Sequence, residues 1–483
     1  MPKTLQKVCF TLVVTILLFL GACSSTSYPK DRPNFLFIIS DDQSWAHTSK
    51  AGYPLVSTPH FDLLADTGLY FQKAFAAAPS CTPSRSAILS GQEFWQLESG
   101  AILLGDYPKP MVSYQSLLED AGYKVGFTGK AWGPGRIASG IRAPGGPDYN
   151  RYISEEGDFK GEVDLVANFA DFLKSLSKDQ PFSFWIGATD PHRPYLMREN
   201  RFLGQDNTKV IPEFLPKTEN VELQLSAYLA EIEHFDLDLG QILELLKQSG
   251  RFDNTVIVVT SDNGMPFSRA KTQNYTWGVQ IPLAIYWSNL ENKGIEVVDF
   301  VQLSDIAPTF LELAGLEIPA SMSGQSLAPY FFATERDRLA EQERDIAFAG
   351  FERHAANIRG GEQNLNYPRR AVYTTDFVYI RNYVPERWPA GDPPNYGEAY
   401  SYLLVDKSGT GLEPFFSLAT SKRPAEELYD LRVDPDQMVN VAANADYAEV
   451  LETLRNRLLA KQQATQDPIL EDVDYFQQFP SYP

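Results

Sequence analysis

The sequence predicts an α/β fold: a doubly wound, mostly parallel central sheet flanked by helices, with a smaller C-terminal α+β subdomain. The first observation is a series of short, continuous apolar runs, which are typical of strands buried on both faces of a parallel sheet. The second is that segments with helical periodicity lie between these runs, which favours a doubly wound sheet. The third is a change after about residue 350, where shorter stretches of alternating character favour an antiparallel sheet and a final helix.

Five apolar runs predict strands of the central sheet. These strands cover residues 35–39, 71–77, 123–127, 182–186 and 255–260. Polar residues follow most of them directly, and open α/β sheets place their binding sites at that edge. The predicted helices cover residues 58–64, 114–121, 223–249 and 303–314, and residues 319–330 are expected to form a loop. Thr58 is expected to cap the first helix and Pro59 to begin it.

Two parts are expected after the N-terminal segment. Residues 33–350 form the main α/β domain, which carries the candidate site, and residues 351–483 form the C-terminal subdomain, which is expected to contribute substrate contacts. The predicted strands of this subdomain cover residues 371–379, 402–405 and 427–431, and its helix covers residues 447–461.

The N-terminal residues predict a targeting segment rather than part of the fold. Lys3 and Lys7 precede an apolar stretch over residues 8–20, which is short for a membrane span. Residues 20–23 (Leu-Gly-Ala-Cys) look like a bacterial lipobox, in which Cys23 becomes the acylated first residue. A plain secretory leader that is cut nearby is the alternative.

The expected N-terminal organisation follows from this pattern. Residues 1–22 are a lipoprotein signal peptide and residues 23–32 are a flexible tether rich in serine. The mature protein is then anchored by its lipid to a bacterial membrane, at the outer membrane facing the periplasm or the cell surface. No later stretch of the sequence is apolar enough to span a membrane, so the lipid is the expected membrane contact.

Charge and cysteine content narrow the classes of function. The net charge is -20, and such an acidic protein is not expected to bind nucleic acid. An anionic substrate then needs a local basic pocket, because the overall field repels it. Of the three cysteines, Cys9 leaves with the leader and Cys23 is lipidated, so Cys81 remains alone. A lone cysteine in an exported protein without disulfides calls for a chemical explanation.

The stretch Cys81-Thr82-Pro83-Ser84-Arg85 is the strongest chemical signal in the chain. Pro83 suits the first turn of a helix, where its missing N–H costs nothing. Cys81 then lies at the helix N-terminus, where partial positive charge stabilises an anionic side chain. Arg85 lies one turn later on the same face and can hold the residue 81 side chain. A buried thiol beside an ordinary helix start is the structural alternative.

Four oxygen-bearing side chains follow two of the predicted strands. Asp41 and Asp42 come after the first strand, and Asp262 and Asn263 come after the strand over residues 255–260. Hard oxygen ligands of this kind suit Ca²⁺ or Mg²⁺ rather than zinc. Any one of them alone is more simply a helix cap or a turn residue.

Together, these motifs resemble the formylglycine-dependent sulfatases of type I, in the alkaline-phosphatase superfamily. The C-x-P-S-R pattern carries the resemblance, and residues 129–135 and 262–267 are most similar to the branch that contains heparan N-sulfatases and bacterial polysaccharide sulfatases. The resemblance implies that a formylglycine-generating enzyme or maturase oxidises Cys81 to formylglycine, whose hydrated aldehyde is the nucleophile. It also implies one divalent ion, Ca²⁺ rather than Mg²⁺, held by residue 81 with Asp41, Asp42, Asp262 and Asn263.

The resemblance implies roles for four further residues. Lys130 and Lys271 match the lysines that clamp sulfate oxygens, Arg85 positions the nucleophile, and His192 matches the histidine that protonates the leaving group. The chain departs from the family at Trp132, where many sulfatases have a histidine that helps to deprotonate the hydrated formylglycine.

Several other basic residues are candidates for substrate binding. His47 and His354 are candidates for the missing histidine role or for sugar recognition, and Arg193 follows His192 directly. A second group forms a basic cluster that is either a subsite for an anionic sugar or a solvated charged loop: Arg353, His354, Arg359, Arg369 and Arg370. His60 and His234 lie within predicted helices and are expected to be structural.

The resulting hypothesis is a sulfatase that hydrolyses sulfate esters of a sulfated polysaccharide or oligosaccharide, either algal (ulvan or carrageenan) or a glycosaminoglycan. An N-sulfoglucosamine sulfohydrolase is the second possibility. A phosphonate monoesterase or phosphodiesterase of the same fold is the enzymatic rival. A non-catalytic glycan-binding lipoprotein is the rival from another class.

Overall fold

Parallel strands that end at a common edge organise the larger sheet. The computed structural model describes residues 32–155, 161–195, 200–204, 206, 210–332, 344–354, 365–389 and 411–482. Within them the larger sheet has eight strands: β1 (Asn34–Ser40), β2 (Leu69–Phe75), β3 (Lys124–Gly129), β4 (Phe182–Gly187), β5 (Thr255–Ser261), β6 (Gln280–Ile281), β7 (Leu283–Tyr286) and β8 (Ile295–Gln302). The strand order is β3-β4-β1-β5-β7-β2-β6, and β8 pairs with β2.

The register of the central strands brings their ends together. β1 pairs in parallel with both β4 and β5, so that Ile39 lies opposite Gly187 on one side and Thr260 on the other. β3 is parallel to β4 and β8 is parallel to β2, whereas β6 and β7 run antiparallel to their neighbours. The predicted mostly parallel sheet is therefore confirmed, with two short antiparallel strands that the sequence did not reveal.

Helices cover both faces of this sheet. The helices among the described residues are α1 (Pro59–Thr67), α2 (Cys81–Ser90), α3 (Tyr114–Asp120), α4 (Leu165–Lys174), α5 (Glu219–Gln248), α6 (Thr276–Val279), α7 (Ile306–Leu313), α8 (Ala328–Phe332), α9 (Glu413–Thr420) and α10 (Ala448–Ala464). None of these helices combines the length and the apolar composition that a membrane crossing requires.

The side chains of β1 alternate between two cores, because successive residues of a strand point to opposite faces. Leu36 and Ile38 pack into the cluster formed with α1, α4 and α5. Phe35 and Phe37 point to the other face, where Phe35 stacks on Phe310 of α7 with ring centroids 4.5 Å apart. Every residue of β1 is buried, which explains the continuous apolar run and confirms the doubly wound arrangement.

Local details differ from the sequence prediction in four places. Thr58 precedes α1 as expected, but its hydroxyl donates to Asp62 and does not cap the helix. The predicted strand over residues 371–379 is a hairpin with a turn near Thr374, and the predicted loop over residues 319–330 ends in α8. The helix predicted from residue 303 begins as a short 3-10 helix, Leu303–Asp305, before α7.

A second, antiparallel sheet lies in the C-terminal part, as predicted. Its strands are β9 (Ala347–Phe351), β10 (Arg369–Tyr373), β11 (Phe377–Asn382) and β12 (Glu426–Asp430), in the order β12-β11-β10-β9. α10 packs on this sheet through Leu451, Leu454 and Leu458, which share a core with Val372 and Tyr379. Residues 1–31, the predicted strand over residues 402–405, and Arg359 lie outside the described residues.

The second sheet is fixed from within by a buried ion network. Arg370 in β10 donates to Glu352 at 2.8 Å and to Asp467 at 2.7 Å, and all three side chains are inaccessible to solvent or nearly so. Burial raises the pKa of Glu352 to about 7, although Arg370 lowers it.

Replacing this arginine tests the network. We expect Arg370→Ala to lower the free energy of unfolding by roughly 3–5 kcal/mol, because two buried carboxylates lose their partner. Chemical or thermal denaturation measures the change. As the matched control, Arg142→Ala removes an exposed arginine paired with Asp120, and its effect stays below roughly 1 kcal/mol. Equal effects of the two substitutions would contradict the prediction.

Candidate active site

Cys81 lies at the centre of the site as the first residue of α2, with its side chain 2% exposed. Pro83 lies in the first turn, as predicted. The thiol sulfur lies 3.5 Å from Asp41 Oδ1. Burial raises the pKa of the Cys81 thiol well above its usual range, although Lys130 and Lys271 lower it. The unmodified side chain is therefore a neutral thiol, which is a poor nucleophile.

Three carboxylates and one amide meet where β1 and β5 end. The backbone N–H of Asp42 donates to Asp262 Oδ1 at 3.1 Å, and Asn263 Nδ2 donates to Asp42 Oδ1 at 2.7 Å. Asp41, Cys81 and Asp262 each offer a ligand atom within 4.8 Å of the others. The structure therefore brings the four predicted oxygen-bearing side chains together beside Cys81, and all of them are buried.

Three cationic side chains balance these three carboxylates. Each cation pairs with one of them: Arg85 Nε with Asp262 Oδ2 at 2.8 Å, Lys130 Nζ with Asp41 Oδ2 at 2.5 Å, and Lys271 Nζ with Asp42 Oδ2 at 2.7 Å. The predicted lysines and the predicted arginine are thus at the site, and this set of six charges is neutral overall. Burial alone would raise the pKa of Asp41, but Lys130, His192 and Arg85 lower it to about 2.

Arg85 also ties α2 to the segment after β3. Its Nη1 donates to the backbone carbonyls of Lys130 at 2.5 Å and Ala131 at 3.2 Å. Its side chain has no exposed surface, and its Nη2 lies 3.8 Å from Asp41 Oδ1. Arg85 therefore fixes the backbone from which Lys130 projects as well as the Asp262 carboxylate.

The donor set fits a hard divalent cation. Asn263 Oδ1 is buried and has no hydrogen-bond partner among the described residues, so it is an acceptor that a cation would satisfy. The carboxylates of Asp41, Asp42 and Asp262 supply the remaining oxygens, and such oxygen ligands suit Ca²⁺ or Mg²⁺. Adding a dication to a charge-balanced set leaves the site positive, which favours an anionic substrate in a protein with a net charge of -20.

His192 is the accessible group of the site, with a third of its side chain exposed. Its Nδ1 donates to the backbone carbonyl of Arg193 at 2.6 Å, which leaves Nε2 to face Asp42 Oδ2 at 3.8 Å. Arg193, by contrast, is 6% exposed and lies over the rings of Tyr195 and Phe267. His192 therefore lies beside the carboxylate cluster, and the backbone carbonyl of Arg193 orients its ring.

The position of His47 corrects one expectation. His47 is fully buried, accepts or donates a hydrogen bond with the Tyr228 hydroxyl at 3.2 Å, and has the rings of Tyr53 and Trp277 against it. Burial lowers its pKa to about 3. The ring is enclosed by Tyr53, Tyr228 and Trp277, so its described contacts are those of a packed core residue and do not favour a role in substrate binding.

The four described members of the predicted basic cluster are buried, so they do not form a solvated loop, and their burial does not favour a sugar subsite. Arg353 is 4% exposed and donates to the Phe479 carbonyl at 2.7 Å, and Arg370 belongs to the buried network of the second sheet. His354 differs from these residues, because its Nδ1 lies 2.8 Å from the hydroxyl of Ser80, the residue before Cys81. His354 is thus adjacent to the site, although its burial does not favour contact with a sugar.

Trp132 packs against α2 instead of providing a titratable group. Its Nε1 donates to Ser86 Oγ at 2.9 Å, and its ring meets Tyr107 edge to face. His234 is half-buried on α5, as a structural histidine should be, and its Nδ1 lies 2.6 Å from Asp190 Oδ2. His192 contacts the ligand residue Asp42, and His354 contacts Ser80, the residue before Cys81.

Residues of the second sheet support the site in a way that the sequence did not reveal. Arg369 in β10 donates to the side chain of Gln273 at 2.6 Å and to the carbonyl of Thr272. Thr272 N–H in turn donates to the carbonyl of Pro79 at 2.8 Å, two residues before Cys81. The segment that carries Lys271 is therefore held between β10 and the start of α2. No motif marks Arg369 for this role, because the partner carbonyls are distant in sequence.

The amino-acid sequence matches a known protein family over more than half of its length. Residues 33–316 match the sulfatase family. The chain belongs to the sulfatase family. It is therefore a sulfuric ester hydrolase, which confirms the family resemblance of the sequence motifs and the fold they implied.

Curated relatives cover nearly the whole sulfatase chain. An ulvan-active sulfatase of Formosa agariphila is 25% identical over an alignment of 461 residues, which covers 92% of this chain and 82% of the relative. The N-sulphoglucosamine sulphohydrolase of Homo sapiens is 26% identical over 503 residues, covering 94% and 93% of the two chains. The crystal structure of a phosphonate monoester hydrolase of Agrobacterium radiobacter has a TM-score of 0.69 at 19% identity, covering 90% and 96%. This last likeness shows a shared fold.

Arg85→Lys keeps the positive charge but removes the planar set of N–H donors, so it tests whether the site needs the guanidinium group itself. A lysine cannot serve the Asp262 carboxylate and two carbonyls at once, so we expect kcat to fall about 100-fold with a lower Tm. Sulfate release and thermal unfolding measure the two effects. The matched control is Arg251→Lys, because Arg251 also donates to two carbonyls, those of Gln180 and Ser177. It should lower Tm alone, and an unchanged kcat in Arg85→Lys would contradict the assigned role.

Proposed function

We propose that this sulfatase removes sulfate from a sulfated polysaccharide or oligosaccharide, with formylglycine at position 81 and Ca²⁺ at the neighbouring carboxylates. The observation that carries the proposal is the placement of Cys81 against Asp41 and Asp262, within the charge-balanced cluster. A neutral, buried thiol is a poor nucleophile in this position, which supports its conversion by a formylglycine-generating enzyme or maturase. When present, the hydrated aldehyde supplies the nucleophilic hydroxyl and Ca²⁺ supplies a fixed positive charge.

The residues of the chain have distinct roles in this proposal. Lys130 and Lys271 face the same carboxylates as the cation would, so they can bind the oxygens of a sulfate group that lies against residue 81. Arg85 keeps residue 81 and Asp262 in place. Since His192 Nδ1–H is directed at the Arg193 carbonyl, Nε2 carries a proton in the cationic ring and can deliver it to the leaving oxygen or nitrogen. The residues that would hold Ca²⁺ are Asp41, Asp42, Asp262 and Asn263, together with residue 81.

The substrate class rests on the relatives and on local charge. Ulvan-active sulfatases and an N-sulphoglucosamine sulphohydrolase are similar to this chain over most of its length. O-sulfate ester hydrolysis on a sulfated glycan is the first candidate. Removal of sulfate from N-sulfoglucosamine is the second candidate. It is supported by the human N-sulphoglucosamine sulphohydrolase, because the alignment covers nearly all of both proteins. Phosphonate or phosphodiester hydrolysis shares the fold, and release of phosphate instead of sulfate would replace the proposal.

The location of the protein is a separate proposal. We infer a lipoprotein signal peptide over residues 1–22, a lipidated Cys23, and anchoring to the outer membrane of a bacterium, facing the periplasm or the cell surface. The pattern of charged, apolar and small residues before Cys23 supports it. The division into a catalytic domain over residues 33–350 and a subdomain over residues 351–483 is likewise proposed, and the contacts of Arg369 with Thr272 and Gln273 support a role of the second part in the site.

Conversion of Cys81 can be tested directly. In protein produced with the maturation machinery, we expect the tryptic peptide of residues 74–85 to carry formylglycine, and its hydrated aldehyde to be required for sulfate release from a panel of sulfated oligosaccharides. Cys81→Ala should abolish release while the protein stays folded. An unmodified thiol in fully active protein would contradict the proposal, and a folded, unmodified protein that binds glycan without turnover would favour the glycan-binding alternative.

Metal dependence is the second test. Removal of Ca²⁺ by EGTA should abolish sulfate release and lower Tm, and Ca²⁺ should restore both more effectively than Mg²⁺. Free Ca²⁺ at 100 times its Kd should raise the free energy of unfolding by about 2.7 kcal/mol. Asp262→Asn should remove this response. Asp236→Asn is the matched control, because Asp236 is a buried carboxylate that binds backbone N–H groups of His60 and Phe61 in α1. Activity that is indifferent to EGTA would contradict the Ca²⁺ site.

A further inference from the structure

A hydrogen bond attaches the turn that carries His192 to helix α5. His234 Nδ1 donates to Asp190 Oδ2 at 2.6 Å, and Asp190 lies two residues before His192. The backbone N–H of His192 donates to the carbonyl of Thr189 at 2.8 Å, so these residues belong to one tight turn. The direction of the His192 side chain therefore depends on how this turn is held.

Both sides of the hydrogen bond are fixed to the central sheet. The Asp190 carbonyl accepts from the backbone N–H of Asp41 at 2.8 Å, where β1 ends. On the other side, Phe235 of α5 packs in the same core as Ile38 of β1. His234 thus projects from a helix that is immobilised on the strand whose end carries the site, and it holds the turn from a fixed point.

A cavity of about 810 Å³ borders this pair. Asp190 and His234 both line the cavity, and Lys130 lines it as well. On this side the turn faces open space rather than a packed core, so the contact with His234 restrains it where packing does not. The side chains of His234 and Asp190 are 29% and 11% exposed, so a small molecule can reach them.

The charges around His234 strengthen the hydrogen bond. Burial lowers the pKa of His234, but the hydrogen bond with Asp190 and the charges of Asp190, Asp238 and Glu231 raise it above its usual range. The cationic imidazolium is therefore favoured, and a bond between a cation and a carboxylate is stronger than one between neutral groups. Further charged residues line the same cavity: Glu162, Asp164 and Lys130.

We propose that His234 is a positioning residue for His192: its hydrogen bond to Asp190 holds the turn so that His192 Nε2 faces the leaving atom of the bound substrate. This inference rests on the proposed function, because it specifies how the proposed acid is oriented. Lys130 holds the Asp41 carboxylate independently, so the loss of His234 should affect proton delivery rather than the Ca²⁺ ligands.

The dependence on the leaving group tests this role. A sugar alcohol needs a proton as it leaves, whereas the nitrophenolate of 4-nitrophenyl sulfate leaves without one. We expect His234→Ala to lower kcat for a sulfated oligosaccharide about 10- to 100-fold, because part of the contribution of the general acid is lost. The same variant should leave kcat for 4-nitrophenyl sulfate and the Ca²⁺ affinity, measured by calorimetry, nearly unchanged.

Two measurements separate positioning from general destabilisation. His234→Asn places an amide N–H donor where Nδ1 lies, so it should restore most of the kcat for the oligosaccharide. In His234→Ala, imidazole can enter the cavity and donate to Asp190, so added imidazole should restore part of the lost activity. A residue that serves only stability would show neither recovery.

His60→Ala is the matched control. His60 is also half-buried, and a Cβ on Gly240 would lie 2.5 Å from its Nε2, so its ring packs against the same helix. The control should leave the ratio of the two kcat values as in the wild type. Equal losses for both substrates in His234→Ala, or an unchanged kcat for the oligosaccharide, would overturn the inference.

Histidine NMR gives a readout that needs no turnover. The chain has five histidines, so the His192 resonance can be assigned with His192→Gln. His234→Ala should shift this resonance and His60→Ala should not. If the wild-type protein releases no sulfate but the resonance shifts, the proposed function fails and the link between His234 and His192 stands. If sulfate release is robust and neither kcat nor the resonance changes in His234→Ala, the proposed function stands and the role of His234 fails.

Discussion

The structure depends on the burial of three carboxylates and three cations at one edge of a parallel sheet. Charges removed from water destabilise a fold unless each is paired and hydrogen-bonded, and here each cation meets one carboxylate. The parallel register of β1 with β5 is what makes this possible, because it ends both strands at the same level. The positions of α2, the segment after β3 and the segment after β5 are all constrained by these pairs.

The second sheet contacts the segment that carries Lys271 and so helps to hold the charged cluster in place. Arg369 donates to the Thr272 carbonyl and to the Gln273 side chain, and the N–H of Thr272 donates to the carbonyl of Pro79 before α2. Arg370, the next residue of β10, points to the opposite side and is neutralised by Glu352 and Asp467. Two adjacent arginines thus serve two purposes, because successive residues of a strand face opposite ways.

The chemistry of the site contrasts with the surface around it. The protein is acidic overall, yet the cluster beside Cys81 is balanced before any cation binds. A bound dication therefore makes the site locally positive, and the accessible His192 marks the side from which an anionic group can approach.

The sequence by itself determined the fold class, the strands that carry the site, and the identity of its charged residues. Apolar runs such as β1 are local signals, and the Cys81–Arg85 motif fixes a helix start through Pro83 and one turn of spacing. Only the tertiary structure decided which histidines and arginines stay at the site. His47 and Arg370 have polar side chains, as His192 has, and nothing in the sequence near them shows that they are buried. Burial depends on residues that are distant in sequence and close in space. The same reason hid the role of Arg369, since its partners lie far away along the chain.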